Sequence, residues 1–242
     1  MFISFEGIDN VGKTTICKIL KRRLSKSFRV HVISDPPKIP PWASLRDRIL
    51  SDKRITSTAL AVVLLGMRID SFNRSVSPRL AKAELLLADR FVDSWFAYQL
   101  PKTTKHFKST HKARKFLESL NTVCLNCNLL VVPDKTYLIL GDVSETIKRG
   151  EEKARSVYDS MRTQRQVQRT YLKLAKASNG RIELIDSKNL SIAQIAGILE
   201  AKIRSLMTLG TKSTPSIEPR GMVRRTTRPT PVRGSSIGST LV

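Results

Sequence analysis

Apolar positions in this chain fall into short runs and into 3.6-residue periods, and the two alternate. Met1 to Phe5 reads as a short buried strand, and Lys13 to Ser25 repeats Ile16, Ile19, Leu20 and Leu24 at helical spacing with lysines and arginines between them. Arg29 to Ser34 alternates like a second strand and stops at the prolines 36, 37, 40 and 41. Helical patterns follow over Trp42 to Leu50 and Ser57 to Val76, and Leu85 to Asp89 reads as a third strand that ends in an acid. Asp93 to Leu100 is predicted helical, and Pro101 to Lys112 a basic, hydroxyl-rich loop. Thr136 to Leu140 is a fourth strand, Ser144 to Gly150 a helix, Val157 to Ala177 a long helix, Arg181 to Ile185 a fifth strand and Ile192 to Met207 a closing helix. Strands alternating with helices predict an α/β fold, a parallel sheet of five strands covered on both faces.

From Thr211 onward the composition turns to Pro, Gly, Ser, Thr and Arg with few large apolar residues, which predicts a disordered basic tail over 210–242 behind one domain over 1–209. The 242 residues suffice for one such domain, and 40% hydrophobic content is that of a globular chain. The longest apolar run, Ala59 to Gly66, falls short of the roughly 18 residues of a membrane span. Glu6 and Asp9 interrupt the apolar start, so a cleavable signal is not expected, and three cysteines do not make a disulfide framework. An intracellular, cytoplasmic setting follows as the expectation. The net charge of +23 changes the picture more, because it attracts polyanions of any kind, nucleotides and nucleic acids alike.

The chemistry concentrates in F-E-G-I-D-N-V-G-K-T-T, residues 5–15. Gly7, Gly12, Lys13 and Thr14 satisfy G-x-x-x-x-G-K-[ST] between a predicted strand and a predicted helix, the context that the motif requires. Gly7, Asn10, Val11, Gly12, Lys13, Thr14 and Thr15 are therefore the candidate ATP-binding loop, with backbone N–H groups turned toward phosphate. Lys13 would neutralise the β- and γ-phosphates and the Thr14 hydroxyl would coordinate Mg²⁺. Asp89, at the carboxyl end of an apolar strand, is the second candidate for the metal, held through water, and Arg90 beside it offers a forked donor to the same phosphates.

Taken together, F-I-S-F-E-G-I-D-N-V-G-K-T-T, A-D-R-F-V-D-S-W-F-A-Y-Q, P-D-K-T-Y-L-I-L, K-R-G-E-E-K-A-R and T-Y-L-K-L-A resemble, in order, the motifs of the thymidylate kinases, over roughly Met1 to Met207. The resemblance implies a P-loop NTPase fold with a helical lid at about 149–157, and Mg²⁺-dependent phosphoryl transfer from ATP to dTMP. It implies that Asp9 accepts from the sugar of the bound monophosphate, that Arg46 grips its phosphate, and that Arg68 approaches base and phosphate. Ser94 and Gln99 match polar positions of the segment after Asp89-Arg90. With Asn10 where some members carry a basic loop residue, the resemblance points to lid arginines as catalytic groups beside Lys13 and Arg90, with Arg149 and Arg155 ahead of Lys153. If the domain forms a homodimer, the resemblance makes the helix around Ala59 to Arg74 its expected interface.

The chain departs from that pattern in places. Leu64 stands where family members place a phenylalanine that stacks on thymine, and Ser34, Pro37 and Lys38 replace the arginine and the glycines around the second-strand turn. Another pyrimidine nucleoside or nucleotide therefore stays open as acceptor. A kinase-fold protein that binds nucleic acid through its charge, the basic tail included, is the alternative from another class. Cys124 and Cys127 form a C-x-x-C without a second pair, with His106 and His111 the only nearby imidazoles, which argues against a structural zinc site, and the run from Lys102 to Lys115 reads as a solvated basic face.

Overall fold

The computed structural model describes residues 1–149 and 160–210. In chain order the elements are β1 Phe2–Glu6, α1 Lys13–Leu24, β2 Val30–Ser34, α2 Trp42–Ser51, α3 Ser57–Ser71, a π-helical turn Phe72–Val76 and α4 Ser77–Lys82. There follow β3 Leu85–Asp89, α5 Val92–Phe107, α6 Thr110–Asn126, β4 Lys135–Leu140, α7 Val143–Lys148, α8 Met161–Lys176, β5 Ile182–Asp186 and α9 Ile192–Gly210.

The five strands form one parallel sheet in the order β2-β3-β1-β4-β5, as the alternation of elements predicts. Because successive side chains of a strand point to opposite faces, Ile3 and Phe5 of β1 enter a cluster with Ile16 and Leu20 of α1 and Leu199 and Ile203 of α9. Ser4 and Glu6 point to the other face, where Ser4 bonds Thr136 and Glu6 meets α5 and α8. A second cluster joins Phe2 to Leu64 and Met67 of α3, Trp95 of α5 and Leu117 of α6. Both faces of the sheet are thus covered, and the chain reverses its direction of winding at β1. In open α/β sheets that reversal places a crevice at the carboxyl ends of the strands, here between the loop after β1 and the end of β3, where Phe5 pairs with Asp89.

One stretch departs from expectation. Pro101 to Lys112 is not a loop: α5 runs through Pro101 to Phe107, and α6 begins at Thr110 after the αL residue Lys108. Burial overrides the proline, since Leu100 and Thr103 are buried in the helix and the Thr103 hydroxyl donates to the Gln99 carbonyl at 2.8 Å. Ser109 caps α6 by accepting from the Lys112 N–H, and Ala113, Leu117 and Cys124 make its buried stripe. The helix predicted over Ser57 to Val76 continues through the π turn to Lys82.

Candidate active site

The loop between β1 and α1 owes its path to its glycines. A Cβ on Gly7, at φ +141°, would lie 2.5 Å from the Ile139 carbonyl, and one on Gly12, at φ +98°, would lie 2.3 Å from Ile192 Cδ1. Gly12 caps α1 without any side-chain bond, so the first N–H groups of that helix are left for an anion. Lys13, 5% exposed, folds its Nζ onto the Ile8 carbonyl at 2.6 Å. Burial first, and then the Arg90 charge, push its pKa down to about 7, and a polyphosphate beside it would restore the ammonium. The Thr14 hydroxyl donates to Asp89 Oδ2 at 2.5 Å, which joins the loop to the end of β3.

Arg90 is held from several sides. Its backbone adopts φ +70°, and its N–H donates to the Phe5 carbonyl at 3.1 Å, which turns the side chain back across the loop. Nη1 donates to the Gly7 carbonyl at 2.8 Å and to Ser94 Oγ at 3.1 Å; Nη2 donates to Asp9 Oδ1 at 2.5 Å and to the Tyr98 hydroxyl at 3.1 Å. The guanidinium lies 4.9 Å from the Tyr98 ring centroid. Asp9 in turn binds Gln164 of α8 by two bonds, accepting from Nε2 at 2.6 Å and donating its N–H to Oε1 at 3.1 Å. Burial opposes ionisation of Asp9, yet Arg90 and Lys13 together hold its carboxyl below the usual range.

Behind Arg90 sits Glu6, fully buried. Its carboxylate accepts from the Phe91 N–H at 2.7 Å, from the Tyr171 hydroxyl at 2.9 Å and from the Ser94 hydroxyl. Burial, reinforced by the charge of Asp93, pushes its pKa up to about 7. Sequence reasoning passed over Glu6, Tyr98, Gln164 and Tyr171. Only Glu6 left a signal there, as an acid inside an otherwise buried strand.

A cleft of about 1350 Å³ opens above these groups. It brings together Asp9, Asn10, Val11, Gly12, Lys13, Thr14 and Thr15 with Asp89, Arg90, Arg46 and Arg149, and its far wall is the segment from Asp186 to Ile192. Arg46 pairs with Asp47 at 2.8 Å, and Arg149, at the end of α7, pairs with Glu145 at 3.1 Å. Four residues expected at the acceptor lie behind the lining. Leu64 and Gln99 are buried, Ser94 is engaged with Glu6, and Arg68 is ion-paired with Asp35 between the rings of Phe91 and Trp95, each 5.7 Å away. Arg68 Nη1 has no hydrogen-bond partner among the described residues. Lys153 and Arg155 fall outside the described residues.

Three comparisons bear on this site. The family profile described as "Thymidylate kinase" matches residues 5–196. A thymidylate kinase of Geobacter sp. (strain M21) is 31% identical over 223 residues, 86% of this chain and 94% of that one. A thymidylate kinase of Bifidobacterium longum subsp. infantis is 28% identical over 216 residues, 86% of this chain and 87% of its own. The crystal structure of thymidylate kinase from Ehrlichia chaffeensis superposes with a TM-score of 0.63 at 24% identity, over 85% of this chain and 98% of that one, and shares the fold.

Proposed function

The chain belongs to the thymidylate kinase family, and we propose that it transfers the γ-phosphoryl group of ATP to the phosphate of dTMP, giving dTDP and ADP. The observation that carries the reading is the meeting of two charged groups across one cleft: Lys13 in an anion-ready loop, and the Arg90–Asp9 pair held by Gln164.

An oxygen of the acceptor phosphate attacks the γ-phosphorus, and the bond from that phosphorus to the β–γ bridging oxygen breaks. Such transfers are governed by positioning and charge stabilisation. In this reading the loop N–H groups and Lys13 hold the donor, and Arg90 faces the transferring group. Asp9 orients the acceptor sugar and Arg46 its phosphate, while Arg149 and Arg155 add charge from the lid side. Thr14 Oγ1 and Asp89 Oδ2 supply two hard oxygens 2.5 Å apart, and among the described residues no cluster of three or more His, Cys, Asp or Glu forms a closed cage. Two protein oxygens fit Mg²⁺, which keeps its waters and shares phosphate oxygens. Bound there, the ion would offset charge on the β- and γ-phosphates.

Leu64 favours a second acceptor reading. It is buried in the α3–α5 cluster and offers no aromatic face to a base, so another pyrimidine monophosphate competes with dTMP. Turnover with ATP and a panel of pyrimidine nucleosides and monophosphates decides between them: dTMP is expected to give the highest kcat/KM, and a higher value for any other acceptor would overturn the assignment. A homodimer through α3 belongs to the same proposal, supported by Val62 at 48% and Val63 at 36% exposure on its outer face; sedimentation tests it. No described helix is long and apolar enough to cross a membrane.

A further inference from the structure

Arginines on the helices of this protein are commonly paired with an acid one helical turn away: Arg74 with Asp70, Arg114 with Glu118, Arg149 with Glu145 and Arg204 with Glu200. Helix α8 breaks the habit. Its sequence, M-R-T-Q-R-Q-V-Q-R-T-Y-L-K-L-A-K, has no acid, and Arg162, Arg165, Arg169, Lys173 and Lys176 recur at intervals of three or four, all exposed. That spacing keeps them in one row, opposite the buried Gln164, Val167, Thr170 and Tyr171. None of the five makes an ion pair with a described residue. Like charges one turn apart disfavour a helix, and among the described residues no ion pair offsets that cost, although the Arg165 charge helps to lower the pKa of Asp142.

We propose that this face of α8 is a docking surface for the phosphate backbone of single-stranded nucleic acid. The row runs ~21 Å at 1.5 Å per residue, the axial rise of about six nucleotides of a helically stacked strand at roughly 3.4 Å each. Three of the five cations are arginines, whose forked guanidinium matches phosphate. An anionic membrane fits less well, because Val167, Tyr171 and Leu174 pack into the core, and beside the cations the outer side carries only Met161, the half-buried Leu172 and polar Gln166. The inference is independent of the kinase reading, and turnover enters its test only as a measure of folding.

The test compares the full chain with two charge-matched variants. One carries Arg169→Gln, Lys173→Gln and Lys176→Gln on α8. The other carries Lys18→Gln, Arg22→Gln and Lys26→Gln on or just beyond α1, which are also exposed but belong to the helix that packs with α9. Binding of a labelled 20-residue oligodeoxycytidylate, which contains no thymine, is measured by fluorescence anisotropy between 50 and 200 mM salt. Neutralising three phosphate contacts lowers the slope of log K against log salt by about 2 for a single strand. That fall is expected for the α8 variant, with turnover unchanged and the α1 variant close to the wild-type slope. Should the α8 variant lose turnover, the single exposed reversal Lys173→Glu reads the same slope. Equal falls in both triple variants would show diffuse attraction, and no fall in either would leave binding to other parts of the chain. Loss of binding to vesicles of anionic phospholipid, with oligonucleotide binding intact, would make the partner a membrane. Each of these three results overturns the proposal.

Discussion

Replacing Glu6 by glutamine should stabilise the protein above neutral pH and damage its catalysis. The carboxylate is fully buried beside Asp93, and burial above all pushes its pKa from 4.5 up to about 7. A raised acid binds its proton more tightly in the folded chain than in the unfolded one. Its contribution is therefore complete below pH 4.5, is lost as pH rises toward 7, and stays lost above. At 1.36 kcal/mol for each pH unit, the loss is on the order of 3 kcal/mol. Glutamine has no charge to bury, and its carbonyl keeps an acceptor for the Phe91 N–H. Its amide now faces the Ser94 and Tyr171 hydroxyls, which must turn to accept, and that rearrangement costs about 1 kcal/mol. The expected result is a variant about 2 kcal/mol more stable than the parent at pH 8 and no more stable at pH 5, measured by urea denaturation at both. Ser94 and Tyr171 also accept from Arg90, so turning them loosens the guanidinium and kcat should fall roughly tenfold or more. A gap in stability that is the same at pH 5 and pH 8 would refute the argument, because charge burial would then not be its source.

Three other outcomes are expected. Lys13→Ala should lower turnover by roughly a thousandfold, in the range of a lost transition-state charge contact, while circular dichroism shows the fold intact, since among the described residues Lys13 Nζ hydrogen-bonds the Ile8 carbonyl alone; unchanged turnover would remove the loop from the mechanism. Arg90→Ala should chiefly lower kcat, and Asp9→Asn should chiefly raise KM for the monophosphate; if steady-state kinetics show both changing only KM for ATP, the acceptor side is misassigned. A chain ending at Leu209 loses six basic residues against one acid, Glu218, and should keep full turnover while part of its low-salt affinity for oligonucleotides disappears; a fall in turnover would make the tail part of the enzyme.

Much of the sheet was legible because strands of a covered parallel sheet are nearly continuous apolar runs. Leu85 to Asp89 matches β3 residue for residue, and β1, β2, β4 and β5 shift by one at most at either end. The phosphate loop was legible because its backbone angles admit so few residues at Gly7 and Gly12. The helical hairpin of α5 and α6 was not, since Pro101 and the run of lysines speak for a loop in composition, whereas Ala113, Leu117 and Cys124 speak for a helix in period. Period was the better guide there, because burial of that stripe decides the structure and the lysines merely ride on its outer face.

The site divides in a different way. Residues that meet a ligand through the backbone leave a pattern of glycines, but residues that hold a catalytic side chain in place leave none, because any chain segment can bring a hydrogen-bond partner. Gln164 reaches Asp9 from 155 positions away, and Tyr171 reaches Glu6 from 165. Glu6 is the exception. A strand buried on both faces has no place for an unpartnered acid, so an acid at the end of β1 had to be either an error in the strand or a group whose partners lie elsewhere in the chain. The three donors around it show the second, and they tie β1, α5 and α8 to the orientation of one arginine. A local break in an otherwise consistent pattern is where strain is tolerated for function. In this chain the break lies one residue before Gly7, where the proposed phosphate loop begins.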